Sequence, residues 1–386
     1  MKLYSLGVLV ATVLFCGEHA FAFQRGQVLS ALPRTSRQVQ ILQNVTTTYK
    51  IVLWQPVAAE YIVKGYEVHF FVNASDVSNV KAHLNASRIP FRVLVENVED
   101  LIRQQTSNDT ISPRASSSYY EQYHSLNEIY SWIEVMTERY PDMVEKIHIG
   151  SSYEKYPLYV LKVSKKEQRA KNAMWIDCGI HAREWISPAF CLWFVGSDRM
   201  WRKNRSLHEK NACVGTDLNR NFASKHWCGE GASSSSCSEI YCGTYPESEP
   251  EVKAVADFLR RNIKHIKAYI SMHSYSQKIV FPYSYSRSRS KDHEELSLVA
   301  REAVFAMENI HRNIRYTHGS GSESLYLAPG GSDDWIYDLG IKYSFTFELR
   351  DKGKYGFLLP ESYIRPTCSE ALVAVAKIAS HVVKNV

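Results

Sequence analysis

Residues 104–118 read QQTSNDTISPRASSS, and this one stretch divides the chain into two folding bodies. Ser, Thr, Asn and Pro dominate it and apolar side chains nearly vanish, so it has nothing to bury and reads as an exposed linker. Arg114 lies in its middle. An arginine in a flexible linker is a natural cleavage point for a trypsin-like protease, and a plain interdomain tether accounts for the composition equally well. The rest suffices for two cores: 386 residues, 45% hydrophobic and 22% charged. That composition excludes a disordered, collagenous or coiled-coil chain. A net charge of +6 is too small over this length to imply a nucleic-acid partner.

The first 22 residues stand outside both bodies. Lys2 gives a short positive start, Tyr4 to Cys16 is almost wholly apolar, and Ala20-Phe21-Ala22 forms an A-x-A cleavage signature. This is the pattern of a secretory signal peptide removed after Ala22. Its apolar run is too short to span a membrane, none longer follows, and the C-terminal end carries no hydrophobic tail for a lipid anchor. The expectation is a soluble, secreted protein with no membrane contact, taken as a monomer.

Cysteine usage agrees. Of eight cysteines, Cys16 falls in the leader. Cys213, Cys228, Cys237 and Cys242 crowd a Gly- and Ser-rich stretch that needs disulfide staples in an oxidising compartment, with their pairing left open. A zinc knuckle is the rival, weakened by the lack of any C-x-x-C pair. Cys178 and Cys191 make a third pair, and Cys368 remains as a buried thiol rather than a reactive one. Five sequons occur, and four of them, Asn44, Asn73, Asn85 and Asn108, precede residue 115. They mark the N-terminal body as exposed and glycosylated; the fifth is Asn204.

Within residues 23–105 the pattern runs strand, helix, strand, strand, helix, strand: 27–32, 36–44, 50–54, 67–72, a helix begun at Ser75, and 91–95. That order suggests a small ferredoxin-like α+β sandwich. From residue 119 strands and helices alternate, which suggests an α/β domain. Helices are expected over 125–140, 184–194, 249–263 and 368–383, the last with Leu372, Val375, Ala379 and Val382 inward. Strands are expected over 145–149, 158–163, 173–177, 268–272 and 342–349.

The chemistry gathers in the second body. His181-Ala-Arg-Glu184 follows the strand ending at Asp177, and two ligands three apart can meet one ion where a strand turns into a helix. One H-x-x-E is about what chance supplies in a chain with 14 histidines, so the spacing alone is weak. His273 ends the apolar strand AYISM, where α/β sheets open toward ligands; a core histidine bonded to a carbonyl is the alternative. Glu348 shares the polar face of YSFTFELR with Ser344, Thr346 and Arg350. A carboxylate there is costly to bury unless paired, with Arg350 for instance, or working.

HAREW, TDLNRNF, MHSYSQ, LYLAPGGSDDW and FTFELRD, five separated blocks in order, together resemble the zinc metallocarboxypeptidases of the A/B type. The resemblance covers nearly the whole chain. It implies a mixed-sheet α/β/α catalytic domain over 115–386, an activation pro-segment over 23–114 and cleavage after Arg114. It implies one zinc ion held by His181, Glu184 and His273, with Glu348 as the general base for the attacking water. Arg202 matches the stabiliser of the developing oxyanion. Asn219 and Arg220 match the binders of the substrate's terminal carboxylate, and Tyr326 the tyrosine that closes over the bound residue. Arg183 and Tyr275 fall at further substrate-contacting positions, and Asp217 is a partner for a ligating histidine. Asp333 matches the floor of the specificity pocket, where a carboxylate selects C-terminal Lys or Arg. Helix capping is the alternative role for either aspartate, and it is given to Asp334.

One departure stands out. After the 184–194 helix the chain passes from Gly196-Ser197-Asp198 straight to Arg199-Met200-Trp201, where the family has several tens more residues, including a central strand. Losing a buried strand leaves unpaired ladder groups and shortens the tether from Glu184 to Arg202. The expectation is therefore double: a zymogen that removes C-terminal Lys or Arg from peptides and proteins, or a variant that keeps the surfaces and lacks turnover.

Overall fold

The computed structural model describes residues 25–49, 51–106, 117–164, 172–191, 200–208, 212–311 and 313–386. The leader over 1–22, Asn108, Arg114 and the junction at 196–198 lie outside the described residues.

The N-terminal body is built from β1 (Gln27–Ala31), α1 (Ser36–Thr48), β2 (Val52–Gln55), β3 (Val68–Val72), α2 (Val77–Ala86) and β4 (Phe91–Val95). Its strands lie in the order β2-β3-β1-β4, every neighbouring pair antiparallel, which is the expected ferredoxin-like arrangement. Thr35 starts α1 by accepting from the Gln38 N–H through its side chain. Leu29, Leu42, Val45, Phe70, Val80 and Leu84 are fully buried between sheet and helices. A further helix, α3 (Val98–Thr106), runs past residue 104, where the linker is expected to begin. The Gln105 amide donates to the carbonyls of Leu358 and Leu359 at 3.1 and 3.0 Å, so contact with the second body extends the order.

The second body opens with α4 (Leu126–Arg139), started by a capping box in which Ser125 and Glu128 satisfy each other's backbone N–H groups. β5 (Val144–Ser151), β6 (Pro157–Val163), β7 (Ala173–Cys178) and α5 (Ile186–Cys191) follow. Then come α6 (Pro250–Asn262), β8 (Ile266–Ser274), β9 (Lys278–Phe281), α7 (His293–Ile310), β10 (Thr317–Ser320) and α8 (Gly321–Ser324). α9 (Ser332–Asp338), β11 (Tyr343–Leu349) and α10 (Ile364–Asn385) complete it.

Five strands form one mixed sheet in the order β10-β9-β11-β8-β7. β7, β8 and β11 are parallel, β9 is antiparallel to β11, and β10 is parallel to β9. Alternation along β8 separates two cores. Ala268, Ile270 and Met272 pack with α5, α7 and α10, whereas Tyr269 points to the other face, among side chains of α6 and α9. The sheet is thus covered on both faces, as an α/β/α layer structure requires. Three disulfides are present, Cys178–Cys191, Cys213–Cys237 and Cys228–Cys242, while the half-buried Cys368 stays reduced and donates to the Ala189 carbonyl. Burial pushes that thiol up to about 12, so it is inert.

The structure corrects one inward-facing residue. Leu372 is 61% exposed, and the buried stripe of α10 is Ala371, Ala374, Val375, Ile378 and Val382. Small alanines set the phase because α7 packs closely there. The gap after α5 has a visible effect. β7 is the last strand of the five-stranded sheet, and β5 pairs with β6 as a separate two-stranded sheet. Among the described residues no strand joins β7 to that hairpin.

Arg350 does not pair with Glu348. Its guanidinium holds Glu370, a fully buried carboxylate on α10 that His311 also contacts at 2.7 Å. Removing one partner of such a pair strands the other charge. Arg350→Met is expected to lower unfolding free energy by about 3 kcal/mol, and the double change Arg350→Met/Glu370→Leu to recover most of it. Denaturant midpoints of the three proteins measure this; equal loss in single and double variants would refute the account.

Candidate active site and metal centre

The functional side chains collect at the C-terminal ends of β7, β8 and β11. His181 and Glu184 occupy the turn between β7 and α5, where Gly179 takes a positive φ of 76° that lets the chain leave the strand sharply. His273 stands near the end of β8, and Glu348 is its direct register neighbour on β11. Parallel strands make these two side chains adjacent on one face.

Three donor sets meet there. His181 Nδ1 lies 2.8 Å from Glu184 Oε1, His273 Nδ1 lies 3.0 Å from Glu184 Oε2, and the two imidazole nitrogens are 3.2 Å apart. All three residues are buried. Ligands of one tetrahedral zinc, each about 2.0–2.2 Å from the metal, sit roughly 3.3 Å from one another, so this spacing fits a single ion with a position left for water or substrate. Two imidazoles and a carboxylate are the donor types that zinc accepts.

The far nitrogens are fixed as well. His181 Nε2 faces Asp217 Oδ1 at 3.0 Å, and His273 Nε2 faces Ser271 Oγ at 3.1 Å, which donates onward to Asp177 Oδ1 at 2.6 Å. These contacts orient each ring and keep Nδ1 toward the centre. Burial opposes charge on Glu184, but His181 and His273 outweigh it and hold the carboxyl well below its usual range. Burial likewise opposes charge on His273, yet Glu184 and neighbouring carboxylates raise it to about 9. Without a cation, the cluster is thus held by its own charges, and binding a metal displaces a proton.

Glu348 is only half-buried by exposed area, but it faces the closed site. Desolvation, helped by the Glu184 carboxylate, pushes it up to about 8, against the pull of His273, Arg202 and Lys278. Arg202 does reach the site despite the shortened tether. It donates to Asp217 Oδ2 at 2.8 Å and stands 3.7 Å from Glu184 Oε1. Asp217 therefore clamps Arg202 and His181 together, and a run of basic residues that would suit a solvated face is here partly buried, Arg202 and Lys203 each being 5% exposed.

A second group lies alongside. Arg220, 2% exposed, donates to the carbonyls of Gly231 and Asn219 and faces the Tyr326 ring at 5.7 Å, while one of its terminal nitrogens is buried without a partner. Asn219 accepts from the Ser332 N–H at 3.0 Å. Asp333 is 4% exposed, receives one bond from Ser284 Oγ at 3.2 Å, and has no cationic partner among the described residues; burial raises its pKa. Asp334 does not cap α9, whose N-cap is Gly331 with no side-chain bond. Its carboxylate instead accepts from the Ser284 and Tyr285 N–H groups at 2.8 and 2.7 Å, tying the β9–α7 loop to the helix.

The N-terminal body closes this region. Arg183, 1% exposed, donates to the Leu53 carbonyl at 3.2 Å, and Tyr61 stacks on Tyr326 with ring centroids 5.9 Å apart. Tyr275 meets His69 Nδ1 at 3.0 Å through its hydroxyl, and Trp54 packs edge-on against Tyr275 and Phe357. Sequence reasoning missed Leu53, Trp54, Tyr61, His69, Ser271 and Asp177. Their partners are up to 265 positions away in the chain, as with Tyr61 and Tyr326, and no local pattern announces them.

The family model for the carboxypeptidase activation peptide matches residues 29–105, and that for zinc carboxypeptidase matches residues 129–197 and 195–374. The second match breaks in two at the point where the chain looks shortened. Carboxypeptidase B2 of Bos taurus is 91% identical over 423 residues, and that of Homo sapiens 73% over 423, each comparison covering 100% of both chains. An alignment longer than this chain means that the relatives carry residues it lacks. The crystal structure of thrombin activatable fibrinolysis inhibitor is 90% identical, with a TM-score of 0.92, and covers 94% of this chain and 100% of its own. The chain therefore belongs to the zinc carboxypeptidase family, as a zymogen carrying the family's activation peptide ahead of a catalytic domain with its zinc site.

Proposed function

We propose that this chain is a secreted B-type zymogen whose catalytic domain, over 115–386, removes C-terminal Lys or Arg from peptides and proteins once its pro-segment, 23–114, is cut after Arg114 by a trypsin-like protease. The single observation that carries the specificity is Asp333, a buried carboxylate with no cationic partner among the described residues. An ammonium or guanidinium side chain entering beside it completes a charge pair that the protein leaves open. Arg220, with its unpartnered nitrogen, and Asn219 suit the carboxylate at the end of such a substrate, and Tyr326 closes over it.

His181, Glu184 and His273 would hold the zinc ion. Zinc supplies Lewis acidity, polarising the scissile carbonyl and making water acidic enough to attack near neutral pH. Glu348 accepts the proton of the attacking water and passes it to the departing amine. Arg202, clamped by Asp217, presents its guanidinium where negative charge develops on the carbonyl oxygen. Arg183 and Tyr275 line the approach, and both are engaged by the pro-segment in the zymogen. Exposed Asn44, Asn73 and Asn85, with Asn108 beyond the described residues, suit glycans. Asn204 suits none, because its amide is spent on Glu249 and the Thr216 N–H. By analogy with relatives named as fibrinolysis inhibitors, partly digested fibrin is a fitting substrate, and trimming its terminal lysines would slow clot lysis.

A second reading, a non-catalytic variant, is favoured by the edge of β7, which no strand among the described residues pairs, and by the separate β5–β6 hairpin. Cleavage at Arg114, followed by zinc analysis and release of arginine from a peptide ending in Arg, separates the two. Turnover with one zinc per chain supports the enzyme; stoichiometric zinc without turnover supports the variant.

Three outcomes are expected of the active form. Glu348→Gln lowers kcat by about 100-fold or more while zinc stays bound. The rate rises with pH as Glu348 loses its proton, with a midpoint below 8 because a nearby cation favours the carboxylate; a rate that falls over that range would refute Glu348 as base. Asp333→Ile moves preference from terminal Arg to apolar residues by about 100-fold in kcat/KM, read on paired peptides.

A further inference from the structure

β7 has β8 on one side and, among the described residues, no strand on the other. A strand ending a sheet exposes alternate N–H and C=O groups, and proteins ordinarily guard such edges with Lys, Pro or a covering segment. β7 reads AMWIDC and has neither Lys nor Pro. Its one charge, Asp177, is engaged by the Ser271 hydroxyl and the Trp175 indole and does not guard the edge. Parallel strands covered by helices on both faces are normally buried, as β8 is, yet Met174 to Cys178 are only half-buried.

A separate observation says what is missing beside it. The zinc carboxypeptidase match stops at 197 and resumes at 195, so the extra residues of the relatives leave the chain within a few positions of Cys191. Cys191 is disulfide-bonded to Cys178, the last residue of β7, with their Cα atoms 6.0 Å apart. The relatives' additional segment therefore enters the chain four to six positions after a residue that is bridged to the end of β7. A strand of five or six residues spans only about 17–20 Å, well within reach from that point.

We infer that the outer edge of β7 is an open docking site for one extended, apolar peptide strand, and that the segment which the relatives carry at 195–197 and this chain lacks fits it in trans. Main-chain hydrogen bonds to the exposed groups of residues 173–178 supply the affinity, and side chains alternating toward the two cores supply selectivity. The inference stands whether or not the chain turns over substrate.

The test uses the full chain and a synthetic peptide made of the residues that the Bos taurus relative carries between the positions matching Gly196 and Arg199. Labelled peptide is expected to bind saturably, one per chain, and to slow amide hydrogen exchange at 173–178 by at least tenfold. Methylating alternate backbone nitrogens of the peptide is expected to weaken binding at least tenfold. No binding, or binding indifferent to methylation, would overturn the inference. Slow exchange, before peptide is added, at the outward-facing amides of 173–178 that are not bonded to β8 would also overturn it. At doubled mass by light scattering, that result would place a second copy on the edge; at monomer mass, it would show the edge already covered.

Discussion

Two histidines and a glutamate share a space about 3 Å across, and they do so because the Glu184 carboxylate lies within hydrogen-bond reach of both rings. Nearly every other feature of the catalytic body serves that juxtaposition. Parallel pairing of β8 with β11 sets His273 beside Glu348. Asp217 and the Ser271–Asp177 pair turn the two rings so that like nitrogens converge. Glu184 and Asp177 also favour charge on His273, so the cluster holds together by its own charges and a metal enters by displacing a proton.

The N-terminal body contacts the very groups proposed to face substrate. Arg183 takes a backbone carbonyl from β2, Tyr326 takes the face of Tyr61, and Tyr275 takes His69. Glu184 and the two histidines already stand together with this body in place.

The sequence made the site's members legible because each is polar at a place where its neighbours are apolar. His273 closes AYISM, and Glu348 interrupts FTF and Leu349; the five-block resemblance then assigned their roles. The ferredoxin-like order of the first body was readable from alternation alone. What was hidden is of two kinds. β9 and β10 escaped notice because strands of four residues show too little alternation, whereas α7 carries a helical stripe at Leu296, Val299, Ala300, Ala303, Val304 and Met307 that was passed over. The phase of α10 was misjudged because alanine is a weak hydrophobic signal and a strong packing one, so Leu372 was turned inward while Ala371 and Ala374 do the packing. The reach of Arg202 to the site was doubted because tether length was weighed without knowing that residues 200–204 run back against Thr216 and Asp217.

The disulfides divide the site by chemistry. His273 and Glu348 hang on sheet hydrogen bonds, and His181 sits in the turn after β7 that the Cys178–Cys191 bridge spans. Asp217, Asn219 and Arg220 lie in a stretch from 212 to 248 with a single short 3₁₀ turn, crossed by two bridges whose spans interlock, 213–237 over 228–242. Loops of that kind owe their shape to oxidised sulfur. In a reducing compartment His273 and Glu348 would keep their places in the β-sheet, while His181 and Glu184 would lose the bridge that spans them and the guanidinium of Arg220 would drift free. Thiol–disulfide poise would then decide whether the two halves work as one.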